Sequence, residues 1–207
     1  MSQYFVIHPT NPQRRLITQA AEIVRDGGVI AYPTDSCYAL GCHLGDKEAM
    51  MRLRRIRHVD DSHHLTLMCR DLSEIAVFAR VDNAQYRLIK ALTPGSYTFI
   101  LEGTRELPRR LLHPRRKTIG LRVPEHPVAQ ALLAELNEPL LSTTLMLSGD
   151  ELPLNEATDI RARLERELDL VMDAGPCGVE PTTVVDLTGE TVEILRKGKG
   201  SIAPIAH

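Results

Sequence analysis

The chain has 207 residues, a net charge of -2, 43% apolar and 25% charged residues. That is the composition of an ordinary globular protein with enough chain for one sizeable core, not that of a disordered or fibrous chain. No apolar run approaches the ~20 residues that span a bilayer, and the start, MSQYFVIHPTNPQRR, lacks the basic-then-apolar pattern of a secretory signal, so a cytoplasmic protein without a membrane partner is expected.

In chain order, Ser2 to His8 reads as a strand, with Tyr4, Phe5, Val6 and Ile7 apolar. Asn11-Pro12 reads as a helix start, a cap followed by proline at the first helical position. Leu16, Ala20, Ile23 and Val24 then share a helical face, and Gly27-Gly28 ends it. The stretch Gly27 to Cys42, GGVIAYPTDSCYALGC, reads as two strands around a polar connection: Val29 to Tyr32 stops at Pro33, and Tyr38 to Leu40 closes on Gly41. Thr34, Asp35 and Ser36 on that connection either cap local backbone, the commoner role, or face a ligand.

Asp46 caps a helix from Lys47 to Arg57, with Met50, Leu53 and Ile56 as its buried stripe. Arg52, Arg54, Arg55 and Arg57 crowd its C-terminal half. The helix dipole favours cations there, yet four together repel one another and a bound anion would relieve them. A polar loop, His58 to His64, leads to a strand from Leu65 to Cys69. Helices near Leu72–Ala79 and Asn83–Leu92 follow, then a strand from Tyr97 to Leu101. The connector Arg105 to Lys117 is basic. Strands at Thr118–Val123 and Pro139–Leu147 flank a helix at Val128–Leu136. A helix at Glu156–Glu167 precedes short strands at Leu170–Met172, Thr183–Leu187 and Val192–Leu195. Ten strands and six helices without a strict alternation predict one α/β domain over residues 1–207, a twisted mixed sheet flanked by helices.

Charge is segregated along the chain. Lys47 to Arg122 holds 16 Lys and Arg against 8 Asp and Glu, whereas Val123 to Leu195 holds 3 against 15. This means either a basic face for an anionic partner or two halves that interleave and cancel. The four cysteines, Cys37, Cys42, Cys69 and Cys177, sit in apolar settings and read as reduced thiols. Cys69 with His63 and His64 matches no strong metal spacing, and no metal site is expected. There is no P-loop, no G-x-G-x-x-G turn and no nucleophile elbow. The remaining chemistry is arginine, whose planar fork suits phosphate: Arg55 and Arg57 at a helix end, Arg122 in a strand before Pro124, and Arg196 after a strand. Taken singly, each is a solvated surface residue more often than a ligand.

Seven segments carry a wider pattern: GGVIAYPTDSCYALG, RRIRHVDDSHHLTLM, TPGSYTFIL, TIGLRVPEHPVAQALL, LLSTTLMLSG, DAGPCGVEPTTVVDL and EILRKGKG. In this order, and across nearly the whole chain, they resemble the YrdC/YciO family. The resemblance implies a twisted α/β sheet around a concave basic cleft and synthesis of threonylcarbamoyl-AMP from threonine, bicarbonate and ATP, with Mg²⁺ accompanying the ATP. It further implies a link to transfer RNA modification and double-stranded RNA as a partner. By position, it assigns Arg55, Arg57 and Thr144 to catalysis and Arg57, Arg122, Thr144 and Arg196 to the nucleotide. Thr34 and either Thr182 or Thr183 fall to the amino acid. Arg52, Arg54, Arg109, Arg110, Arg115, Arg116 and Lys117 are the expected RNA contacts. Three positions depart from the family. The lysine of its Lys-x-Arg pair is Arg55, the asparagine of its Ser-x-Asn pair is Met146, and a histidine common at the end of a strand is Met68. Methionine offers no strong donor or acceptor. Weak or altered synthase chemistry is therefore one expectation, and a non-catalytic RNA-binding module or a nucleotide sensor without turnover are its rivals.

Overall fold

In the computed structural model, which describes residues 1–205, the run Ile30–Tyr32 (β2) ends where Pro33 removes a donor. The chain returns antiparallel as β3 (Ala39–His43), with Ala31 opposite Leu40. Before this hairpin lie β1 (Gln3–Val6) and α1 (Arg14–Arg25). After it come α2 (Lys47–Arg57), β4 (Thr66–Met68), α3 (Leu72–Phe78), α4 (Asn83–Leu92), β5 (Tyr97–Glu102), β6 (Thr118–Arg122), α5 (Pro127–Leu136) and β7 (Leu140–Thr144). The last elements are α6 (Ala157–Leu164), β8 (Leu170–Asp173), β9 (Thr183–Asp186) and β10 (Glu193–Arg196). All ten strands join one mixed sheet in the order β1-β8-β2-β3-β7-β4-β6-β5-β9-β10. It is a single α/β domain, as the strand and helix count implied. Among the described residues no helix is long and apolar enough to cross a membrane.

Local chemistry explains the element ends. The Asp46 side chain accepts from the Ala49 amide, and Asp82 forms a capping box with Gln85. The expectation at Asn11 fails. α1 begins at Arg14, because Gln13 turns its side chain back to accept from the His8 amide and Asn11 donates to the His8 ring, which holds residues 8–13 in a closed bend. The buried stripe of α1 is accordingly Ile17, Ala20, Ala21 and Val24, with Leu16 and Ile23 at its margin. β7 stops at Thr144, earlier than its apolar run, since the Met146 amide turns back to the Thr144 carbonyl.

The period-two alternation of the strands divides the sheet into two faces. On one, Val171, Ala31, Leu40, Leu141, Leu67, Leu121, Phe99 and Val185 are buried in a single apolar cluster. The apolar stripes of α2, α3, α4 and α6 join that cluster. The other face is covered over only part of its width. There Leu170, Ile30, Tyr32 and Leu140 pack with the side-by-side pair α1 and α5. Among the described residues no helix joins a buried cluster over the rest of this face, from Ser142 in β7 across to β9.

Candidate functional site

Small and polar side chains line the uncovered part. Register pairs Ser142 with Thr66, Thr66 with Gly120 and Gly120 with Ile100, so these four form one row across β7, β4, β6 and β5. Gly120 keeps the row close-packed: a Cβ would sit 3.1 Å from Thr66 Oγ1 and 3.2 Å from Thr98 Cγ2, so those side chains would have to give way by a few tenths of an ångström. Beside the row stand Met68, Thr98, Arg122, Thr144 and Val184. This floor opens into a cavity of about 620 Å³, within the range that holds a drug-sized ligand. Its walls are the Thr34–Ala39 connection, the 58–64 loop and the β9–β10 pair.

The sites expected for nucleotide and amino acid converge on this cavity. Thr34, Arg57, Arg122, Thr144, Thr182 and Arg196 all line it, as do Met68 and Met146. Among its lining residues the one carboxylate is Asp60, against three arginines and three histidines. The arginines differ in how they are held. Arg122 is 6% exposed, donating to Asp35 at 2.6 Å and to Ser36 Oγ at 2.9 Å. Asp35 also accepts from Ser96 Oγ at 2.6 Å and the Glu125 amide at 2.9 Å. Burial alone would raise the Asp35 pKa, but Arg122 and these hydrogen bonds outweigh it and hold the carboxyl below its usual range. Arg196 is clamped on the Thr182 carbonyl by two donors at 3.0 and 2.9 Å. Arg57 has no such partner. Among the described residues it joins no ion pair, and its Nε is buried without a hydrogen bond. Burial holds its guanidinium below its usual value. A desolvated cation without a counter-charge is a place for an anion.

Other expected residues lie elsewhere or are engaged. Arg55 is exposed on α2 and does not line the cavity. Thr183 is fully buried, its hydroxyl donating to the Gly200 carbonyl and accepting from the Gly198 amide. Thr34 lines the cavity, but its hydroxyl closes a local turn, donating to the Cys37 carbonyl at 2.6 Å. Arg52 pairs with Asp169 at 2.9 Å and caps the Glu167 carbonyl. Arg54 is 8% exposed beneath the 58–64 loop. Neither is a free surface cation. Arg110 is tied to the Gly45 carbonyl, and Arg116 approaches Asp186 at 3.9 Å. Arg109, Arg115 and Lys117 are exposed. The crowding of arginines on α2 is therefore resolved by pointing each one differently, and the pairs Arg52–Asp169 and Arg116–Asp186 join the basic and acidic halves of the chain.

Sequence reasoning missed His63, His64, Thr98 and Ser142 as cavity walls. The available signal was hydroxyl residues recurring at period two within otherwise apolar strands. Cys37, Cys42 and Cys69 are buried free thiols, Cys177 is half-buried and free, and no group of three or more His, Cys, Asp or Glu among the described residues could hold a metal ion.

Residues 22–198 match the family model for Sua5, YciO and YrdC proteins, described as telomere recombination. The chain is 58% identical over 204 residues to YciO of Escherichia coli K12, covering 99% of both sequences. The E. coli YciO crystal structure superposes with a TM-score of 0.96, covering 99% of this chain and 100% of that one. A threonylcarbamoyl-AMP synthase of Chromobacterium violaceum is 33% identical over 189 residues, 91% of this chain and 96% of that protein. Sua5 of P. abyssi, solved with L-threonine, shares the fold with a TM-score of 0.88 at 23% identity, over 95% of this chain and 58% of that one.

Proposed function

Since the chain belongs to the Sua5/YciO/YrdC family, which includes threonylcarbamoyl-AMP synthases, we propose that it binds ATP in the cavity and carries a weak or altered form of that adenylate chemistry. The observation that carries this reading is the convergence of Arg57, Arg122 and Arg196 on one cavity, with Arg57 lacking any counter-charge. In such a reaction a carbamate oxygen attacks the α-phosphorus of ATP. The bond to the β-phosphate breaks, and pyrophosphate leaves with the charge that develops. Arg122 and Arg196, locked by Asp35 and the Thr182 carbonyl, offer donors that need no reorganisation, which is where electrostatic catalysis gains most. With Asp60 the one lining carboxylate, the protein supplies no cage for Mg²⁺, which would enter with the nucleotide and offset charge on the leaving pyrophosphate.

Met68 and Met146 account for the weakness. Met68 is 2% exposed and packs with Leu140 at the end of the cavity; Met146 is half-buried in its wall. Each stands where the family has a polar contact, and the loss of a hydrogen bond to a charged reacting group costs about 1.5–3 kcal/mol, roughly ten- to a hundredfold in rate. The test is pyrophosphate release with ATP, bicarbonate and a panel of amino acids. The unmodified protein is expected to bind ATP and release little pyrophosphate, and the double replacement Met68→His with Met146→Asn to gain threonine-dependent release. Calorimetry without ATP binding at millimolar ligand overturns the reading. Release at the rate of an ordinary synthase overturns the role given to the methionines.

A second observation supports RNA binding as an added or alternative role. Arg80, Arg105, Arg109 and Lys117 line a separate depression of about 660 Å³ that has no acidic lining residue. Duplex RNA held there through its phosphates would dissociate steeply as salt rises. A flat salt dependence, or no mobility shift at low salt, counts against it.

A further inference from the structure

The 58–64 loop brings His58, Asp60, His63 and His64 to the cavity wall, and hydrogen bonds hold its shape. Arg54, buried beneath it, donates to the carbonyls of Asp60 and His63 and stands 3.7 Å from Asp61. The His63 amide donates to the Asp60 carbonyl at 3.3 Å, and the Asp60 carboxylate accepts from the Ser62 amide at 2.8 Å. These bonds hold the half-buried His63 in the wall of the same cavity that Arg57 lines.

We propose that His63 takes up a proton when a polyphosphate binds beside Arg57, making anion binding at this cavity proton-linked. This rests on the nucleotide reading of the site and adds to it the residue that sets its pH dependence. The groups facing His63 are Arg54 and Arg57 from α2 and His64 and Asp60 from its own loop. In the free protein, burial comes first in keeping His63 neutral; Arg57, Arg54 and His64 add to it and outweigh Asp60, so its pKa lies below the ordinary histidine value. A polyphosphate on Arg57 brings several negative charges to the same place. It cancels the repulsion and gives the imidazolium an acceptor, raising the pKa in the complex. Affinity is then constant below the free-state pKa, falls between the free and bound values, and is constant again above. The free value lies below the ordinary histidine value of about 6.5, so the fall begins below that pH and continues up to the bound value, by up to about tenfold per pH unit. His64 does not serve this role. Its Nε2 is 2.9 Å from Thr118 Oγ1 and its ring stacks on His113.

The experiment is calorimetric titration of the full chain with MgATP and with inorganic pyrophosphate, from pH 6 to pH 8, in buffers of different ionisation enthalpy. The unmodified protein is compared with His63→Gln and His63→Lys. The ligands' own titration is common to all three proteins and cancels in the comparison. The unmodified protein is expected to absorb additional protons, up to one per ligand, and to lose affinity toward pH 8 more steeply than either variant. His63→Gln should bind several-fold more weakly at pH 6 than the unmodified protein and converge with it at pH 8. His63→Lys should keep its affinity across the range without the extra uptake. Equal proton uptake by the unmodified protein and His63→Gln overturns the inference while leaving nucleotide binding intact. Absence of binding by the unmodified protein overturns both.

Discussion

The two halves of one sheet face solve the same problem in opposite ways. Over β1, β8 and β2 the outward residues include Phe5, Leu170, Met172, Ile30 and Tyr32, joined by Leu140 at the end of β7, and α1 with α5 buries them. Over β7, β4, β6, β5 and β9 the same alternation presents Ser142, Thr66, Gly120, Thr98 and Arg122, and a cavity remains. Backbone pairing is continuous across both. What differs is whether side chains present enough apolar area to hold a helix, at roughly 25 cal/mol per Å² buried. Short hydroxyl side chains do not, but they leave volume and donors for a ligand.

The largest expected effect comes from breaking the Arg122–Asp35 ion pair beside the floor of the open half. Arg122→Ala leaves Asp35, whose side chain is 12% exposed, buried without its counter-charge. The cost should be about 3–5 kcal/mol, read by chemical denaturation, together with lost ATP binding. The pH dependence sharpens this. With its folded pKa depressed, Asp35 contributes stability that is present above the unfolded value of about 3.9 and is lost as pH falls through the folded value. The stability gap between the two proteins should therefore narrow as pH falls from Asp35's folded value in the variant, no longer lowered by Arg122, to its depressed value in the unmodified protein. A gap constant down to the acid transition contradicts the pairing.

In the covered half, Leu132→Ala on α5, where the side chain is fully buried, should cost about 2–5 kcal/mol. Its folded fraction should bind ATP unchanged. The smallest effect on stability belongs to Arg57→Ala, less than about 1 kcal/mol, because that guanidinium is desolvated and holds no partner together. Its ATP affinity should nevertheless fall by about 1.5–3 kcal/mol. A large loss of stability there, or unchanged affinity, erases the distinction between arginines that build the cavity and the arginine that awaits a ligand.

The element list was legible because local chemistry sets it: Pro33 ends β2, Asp46 caps α2, and alternation identifies the strands. The miss at Asn11 came from a local bend that single-residue capping preferences do not anticipate, closed by Gln13 reaching back five residues to His8. For the site, the motif order was enough to place Arg57, Arg122 and Arg196 among the candidates. It could not rank them. Arg52, Arg54, Arg55 and Arg57 are equivalent in type and nearly adjacent in the chain, yet one meets Asp169, one lies under a loop, one is exposed and one enters the cavity.

What the sequence determined by itself was therefore the element list, the mixed α/β class and the family, since each depends on residue type at short spacing or on motifs read in order. What only the tertiary structure decided was which half of the sheet face stays open and which cation lacks a partner. Both depend on residues such as Asp35 and Arg122, 87 positions apart in the chain and 2.6 Å apart in space. A charge's free energy is set by its burial and its counter-charges, and neither is written in its neighbours along the chain.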